Sequence, residues 1–297
     1  MSNAMEWLQF VLAPQMINGL SIGVAVVLMA LGLTIIFGLL DVINMAHGEF
    51  YAIGAYLAVA LVATGMSFWW ALVLTPLLMA VLGFVTERGL IQRVFHSKDR
   101  HTLTLLLTFG VAVVLEDALK IAFGANPLRL EAPISGATEM VGLFFPNYRL
   151  FVMLFGGALI AAVWLLVFRT SLGAIVRAAA FDRNMSASLG VPVQLVYAGT
   201  FAFGVALAGI AGVLLAPIYS VFPTMGKDFV LIAFSVVIIG GMGSIKGALL
   251  AGLLLTQVQS ISSLYISPVW SDPLLFGIMV LVLMWRPQGL FGKLGSA

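Results

Sequence analysis

The chain has 297 residues, 62% hydrophobic and 9% charged, with a formal net charge of +2 and a mean hydropathy of +1.14. A soluble domain carries about 25% charged residues, so this chain cannot cover a water-facing surface, which excludes a soluble enzyme, a nucleic-acid binder and a disordered protein. Cysteine is absent, so there is no disulfide framework, thiolate metal site or thiol nucleophile. At about 20 apolar residues per crossing, the apolar content suffices for at most about nine spanning helices. The expected fold is all-α, a polytopic transmembrane bundle.

In chain order, residues 1–4 precede a second methionine, Met5, and read as an expression scar. Residues 5–297 read as one transmembrane domain. No basic segment precedes the first apolar stretch, so the first spanning helix is expected to drive insertion. Apolar stretches fall near 14–38, 49–64, 67–87, 102–123, 149–168, 196–216, 229–241, 247–264 and 273–285. These predict seven to nine crossings, with broken or re-entrant helices where glycine clusters. Between the stretches, Arg88, Arg93, Lys98 and Arg100, then Arg169, Arg177 and Arg183, and finally Arg286 and Lys293 mark the cytoplasmic side. The alternation predicts an N-terminus outside and a C-terminus in the cytoplasm.

The segment Gly38–Phe50 places Asp41, Asn44, His47 and Glu49 between two apolar stretches with no basic loop. An ionised side chain in hydrocarbon costs on the order of 2.5–3.5 kcal/mol, so such groups persist facing protein or a water-filled cavity. The segment is expected to face the bundle interior and line a pathway; the competing reading is a short turn whose polar residues cap helix ends, with Asp41 accepting backbone N–H groups. His47 and Glu49, two residues apart, project from different helical faces, and neither a metal site nor a catalytic set is expected. His96 and His101 fall in the basic loop and are expected to be solvated. Glu116 and Lys120 lie four apart inside an apolar stretch and can pair on one helix face, with Asp117 beside them.

Residues 170–192 are long for a connector. The centre is Ala-rich and ends at Gly190 and Pro192, which predicts a short amphipathic surface helix. It either rests on membrane lipid through Arg177 and Arg183 or docks into a partner's groove through Phe181, Met185 and Leu189, spaced four apart. At 240–247, four glycines in eight residues around Lys246 predict a break or tight turn. Lys246 is followed by Gly247, not Ser or Thr, so the run is not a Walker A loop; nucleotide would bind to another polypeptide.

The run Gly32–Phe50, the loop from Arg177-Ala178-Ala179 to Leu189-Gly190-Val191, and Gly240-Gly241-Met242-Gly243-Ser244-Ile245 resemble the inner-membrane permease subunits of branched-chain amino-acid ABC importers, over about residues 14–292. The resemblance implies a multi-pass protein of the bacterial inner membrane with no cofactor of its own. It implies a second permease, related or identical, two cytoplasmic ATPase subunits that carry ATP and Mg, and a periplasmic binding protein delivering leucine, isoleucine or valine. It favours docking for the cytoplasmic loop, through Arg177, Ala178, Ala179, Phe181, Asp182, Met185, Leu189 and Gly190. The expected pathway residues are Thr34, Asp41, Asn44, His47, Glu49, Gly241, Gly243 and Ser244. Lys246 departs from the proline common in that group. Two alternatives stand beside this: a urea or short-chain amide permease of the same build, and an ion-coupled secondary carrier with Asp41, Glu49 or Glu116 as coupling carboxylate.

Overall fold

A computed structural model describes residues 7–95, 97–140, 143–267 and 270–292. The scar at 1–4, His96 and Lys293 lie outside the described residues. Helix α1 spans Ala13–Leu40, with proline in its first turn. At about 1.5 Å per residue it is about 42 Å long, more than the ~30 Å hydrocarbon core. Then come α2 (His47–Ala63), α3 (Phe68–Thr86) and α4 (Arg100–Phe123). A π-helical turn at Glu87–Ile91 carries α3 on to Val94. A hairpin follows, β1 (Ala137–Met140) antiparallel to β2 (Leu143–Pro146). The remaining helices are α5 (Asn147–Arg169), α6 (Ser171–Phe181), α7 (Arg183–Ser188), α8 (Val193–Leu215), α9 (Met225–Gly240), α10 (Ile245–Ser262) and α11 (Ser271–Trp285).

Six helices among the described residues are long and apolar enough to cross a membrane, with α2 and α11 shorter apolar helices. Every apolar stretch expected from sequence is a helix. The helical bundle is as expected; the short hairpin lies outside the apolar stretches, β1 pairing Thr138 with Phe145 and Glu139 with Phe144.

The core is built on α1 and α8, whose most apolar windows are 83% and 78% buried, while α4 and α5 are 22% and 28% buried and form the rim. Lipid offers no hydrophobic drive between helices, so close approach of backbones supplies the packing. At Gly54, an added Cβ would lie 2.5 Å from the Gly209 Cα, so α2 and α8 can touch only as glycine on glycine.

The cation-rich segments gather at one end. Arg100 pairs with Asp41 at 3.3 Å and lies 5.4 Å over the Phe95 ring, and Arg183 covers both Phe95 at 4.9 Å and Tyr197 at 5.6 Å. The tail joins this end, with the Leu290 and Phe291 N–H groups donating to Ile239 O at 2.7 Å and Gly240 O at 3.0 Å.

Candidate functional site

The polar segment after α1 is a doubled-back chain. Asp41 closes α1 in the left-handed conformation (φ 52°, ψ 45°), donating its N–H to Phe37 O at 2.8 Å. It is the one non-glycine among the described residues with positive φ, a conformation Asp tolerates better than most residues. Its carboxylate is 58% exposed and faces Arg100 at 3.3 Å and His101 at 3.6 Å. The expectation that the whole segment turns inward therefore fails at Asp41, which ends a helix at the surface and accepts side-chain donors, not backbone N–H groups.

From there the chain re-enters the bundle. Asn44 and His47 are fully buried and Glu49 is 2% exposed. The backbone of this break finds partners on α4: Met45 N–H donates to Thr108 Oγ1 at 3.1 Å, and the Thr108 hydroxyl reaches Ile43 O at 3.3 Å. Asn44 Oδ1 accepts from Ala46 N–H at 3.1 Å. His47 Nε2 lies 3.0 Å from Met29 O, a carbonyl about 16 Å short of the end of α1. So α2 begins inside the bundle. Helix α9 begins there too: Cβ atoms placed on Gly48 and Gly226 would run into the partner helix, the first lying 2.7 Å from Val230 Cβ and the second 2.6 and 2.7 Å from the two Glu49 carboxylate oxygens.

Two helix N-termini thus meet in the interior with the Glu49 carboxylate between them. Each terminus carries roughly half a positive charge, which suits an acidic side chain. The buried polar atoms without a hydrogen-bond partner include Thr34 Oγ1, Asn44 Nδ2, His47 Nδ1, Glu49 Oε2 and Tyr51 Oη; all but Thr34 belong to this break and the first turns of α2. Thr34, 1% exposed, lies on α1.

Next to the break, Glu116 joins α4 to α9. Its side chain is 4% exposed, with Oε1 2.7 Å from Lys120 Nζ and Oε2 2.6 Å from Lys227 Nζ, and Lys120 also reaches Asp117 at 3.3 Å. The four-apart pair is present as expected. The second ammonium, Lys227, escaped sequence reasoning; its signal was a Lys-Asp pair opening an apolar helix. Gly19-Leu20-Ser21-Ile22-Gly23, a run whose glycines four apart suit close helix packing, also has the spacing of a nucleophile elbow. It lies in α1, where the Ser21 hydroxyl donates to Asn18 O at 2.9 Å, with no strand-to-helix turn.

The glycine run is the tight turn between α9 and α10. Gly241 and Gly243 take φ of 98° and 79°, Ser244 N–H donates to Gly241 O at 2.9 Å, and Ser244 Oγ accepts from Gly247 N–H at 3.1 Å to cap α10. Gly241 is buried, Ser244 half-buried, and Gly243 and Lys246 exposed. An added Cβ on Gly38 would meet Gly243 Cα at 3.4 Å, so this turn abuts the end of α1.

The long loop at 170–192 holds two helices where one was expected. Asp182 breaks the run at φ −147° and caps α7 by accepting Met185 N–H at 2.9 Å; a capping side chain competes with helix continuation. Gly190 stops it at φ 86°. Phe181, Met185 and Leu189 are 94%, 59% and 74% exposed. Ala179 is buried, Ala178 and Asp182 exposed. Both arginines turn back to the protein: Arg177 donates to Val167 O and lies 5.7 Å over Phe168, while Arg183 lies over Phe95 and Tyr197. Their guanidiniums are engaged with the bundle, and the apolar side chains are left outward.

A polytopic helical bundle with two helices starting inside it and a polar break at that point defines a membrane permease. Residues 15–283 match the family Branched-chain amino acid transport system / permease component, and the chain belongs to it. The chain is 30% identical over 294 residues to the high-affinity branched-chain amino acid transport system permease protein LivH of Salmonella typhimurium, covering 94% of this chain and 95% of the relative. It is 30% identical over 296 residues to BraD of Pseudomonas aeruginosa, with the same coverage. LivM of Escherichia coli is 28% identical, over 89% of this chain and 67% of its own length. Among solved structures, PsaBC from Streptococcus pneumoniae in complex with Fab has the same fold, with a TM-score of 0.51 at 14% identity, covering 96% of this chain and 95% of that one.

Proposed function

We propose that the chain is the permease subunit of an ATP-driven ABC importer of the bacterial inner membrane, forming part of the pathway for branched-chain amino acids delivered by a periplasmic binding protein. The observation that carries this reading is full-length kinship to branched-chain amino acid permeases, in a chain that leaves Phe181, Met185 and Leu189 bare on a loop at its cation-rich end. Two cytoplasmic ATPase subunits, holding ATP and Mg, would cover that trio. A second permease would complete the pore; the likeness of this chain to both LivH and LivM favours a related partner over an identical one. The N-terminus would face outward and the C-terminus the cytoplasm.

The mechanical link runs through α6. Gly173 is packed on the last turn of α5, and Arg177 donates to Val167 O, so motion of α6 carries α5 with it. Helix α6 also touches α1 and α8. Closing ATPases would tilt the bundle as a rigid body and change access at its two polar breaks, Asp41 to Glu49 with Thr34 nearby, and Gly241, Gly243 and Ser244. No covalent step takes place in this chain. The test is uptake by the assembled transporter, with its partner permease, ATPases and binding protein in liposomes. ATP-dependent accumulation of leucine is expected; accumulation of urea or acetamide in its place would replace the reading.

A further inference from the structure

Lys227 is deep and wet at once. Gly226, its neighbour, lies against Gly48, which sits about 22 Å ahead of the end of α2 at Ala63. Yet the Lys227 side chain is 60% exposed. An ammonium at that depth does not face hydrocarbon; it faces water or protein. The surface where α4 and α9 meet therefore belongs to a wetted interior of the assembly.

The charges on that surface form one cluster. Glu116, 4% exposed, holds Lys227 at 2.6 Å and Lys120 at 2.7 Å. Glu49, 2% exposed, lies behind them at the first turn of α9, within the fields of Glu116, Lys227 and Lys120, with Oε2 unpartnered. That turn adds the partial positive charge of a helix N-terminus. An anionic group entering here meets the Lys227 ammonium; a cationic group entering beside it is drawn to the buried, unpartnered oxygen of Glu49 and, once Lys227 is taken, to that of Glu116.

We propose that the charged surface where α4 meets the first turn of α9 holds the charged head of an α-amino acid zwitterion during passage, with Lys227 taking the carboxylate and Glu49 the ammonium. This rests on the amino-acid reading above and gives it a specificity element. A zwitterion inserted between Glu116 and Lys227 leaves every charge paired. A neutral amide or urea brings no charge to Lys227 or Glu49 and leaves the Glu116–Lys227 pair as it stands, so this surface favours the zwitterion.

The experiment is leucine uptake by the assembled transporter in liposomes at saturating leucine-loaded binding protein. Variants are Lys227→Gln, Lys227→Arg and Glu49→Gln, with the melting temperature of each purified complex measured in parallel. Lys227→Gln is expected to lower maximal uptake by about tenfold or more with only a small melting-temperature shift, since Glu116 keeps Lys120, and Lys227→Arg to restore most of the uptake. Glu49→Gln is expected to lower uptake to a similar extent. Because Lys227 is exposed in the chain, its variants decide the matter where Glu49→Gln does not fold. Uptake by a folded Lys227→Gln complex within about twofold of the parent, or an Arg variant no better than Gln, would overturn the proposal while leaving the amino-acid reading intact. A parent complex that takes up no leucine would overturn both.

Discussion

Replacing Phe181 and Leu189 together by Asp should release the ATPase subunits from a permease that remains folded. In the chain these side chains are 94% and 74% exposed, so each substitution is expected to change the stability of the bundle by no more than about 0.5 kcal/mol. Docking that buries them stabilises the complex by about 1.5–3 kcal/mol per side chain, or about 3–6 kcal/mol for the pair. At about 1.4 kcal/mol per tenfold in affinity, that is a loss of two decades or more, before any desolvation cost of the new carboxylates. The assay is the Kd of the detergent-solubilised permease for its ATPase subunits, read beside the permease melting temperature and transport-coupled ATP hydrolysis. A Kd within about threefold of the parent value, or unchanged coupled hydrolysis, would refute the docking assignment.

Other substitutions follow from the packing. Gly54→Val puts a branched side chain where the Gly209 Cα stands 2.5 Å from the new Cβ, and should lower the melting temperature sharply or abolish folding, whereas Gly110→Ala, with nothing within 4 Å, should leave it unchanged. Asp41→Val places a β-branched residue at φ 52° and is expected to cost about 1–2 kcal/mol in denaturant titration, with Asp41→Asn close to neutral. Asp182→Ala removes the cap from α7 and is expected to cost that helix about 1 kcal/mol, seen as faster hydrogen exchange confined to 183–188. Lys120→Met and Lys227→Met should each be milder than their combination destabilises, because Glu116 keeps one ammonium in each single variant and none in the double; additive melting shifts would sink the bridging role of Glu116.

The spans were legible because an apolar window of spanning length has no other stable home, and α4, α5 and α8 fall within a few residues of their expected bounds. Helix α9 begins at Met225, earlier than expected, since Lys227 and Asp228 dilute the window that hydropathy reads. The hairpin was invisible because strands of four residues carry too little alternation to register. The break at Asp182 was readable in principle, as an Asp three residues ahead of the N–H it caps. That Asn44, His47 and Glu49 belong to the interior while Asp41 does not could not be read locally: it depends on Thr108 and Arg100 of α4, which sequence places far away. The pairing of Lys227 with Glu116 lay equally out of reach, because it exists only once α9 starts inside the bundle; the Lys-Asp pair opening that helix was legible.

The energy source of transport tests the central claim most directly. The chain alone in liposomes, and the chain with its partner permease, ATPases and binding protein, should be compared for leucine uptake under imposed proton or sodium gradients and under ATP. The account predicts uptake only from the complete assembly and only with ATP. Gradient-driven leucine uptake by the chain alone would contradict it and make the protein an ion-coupled carrier.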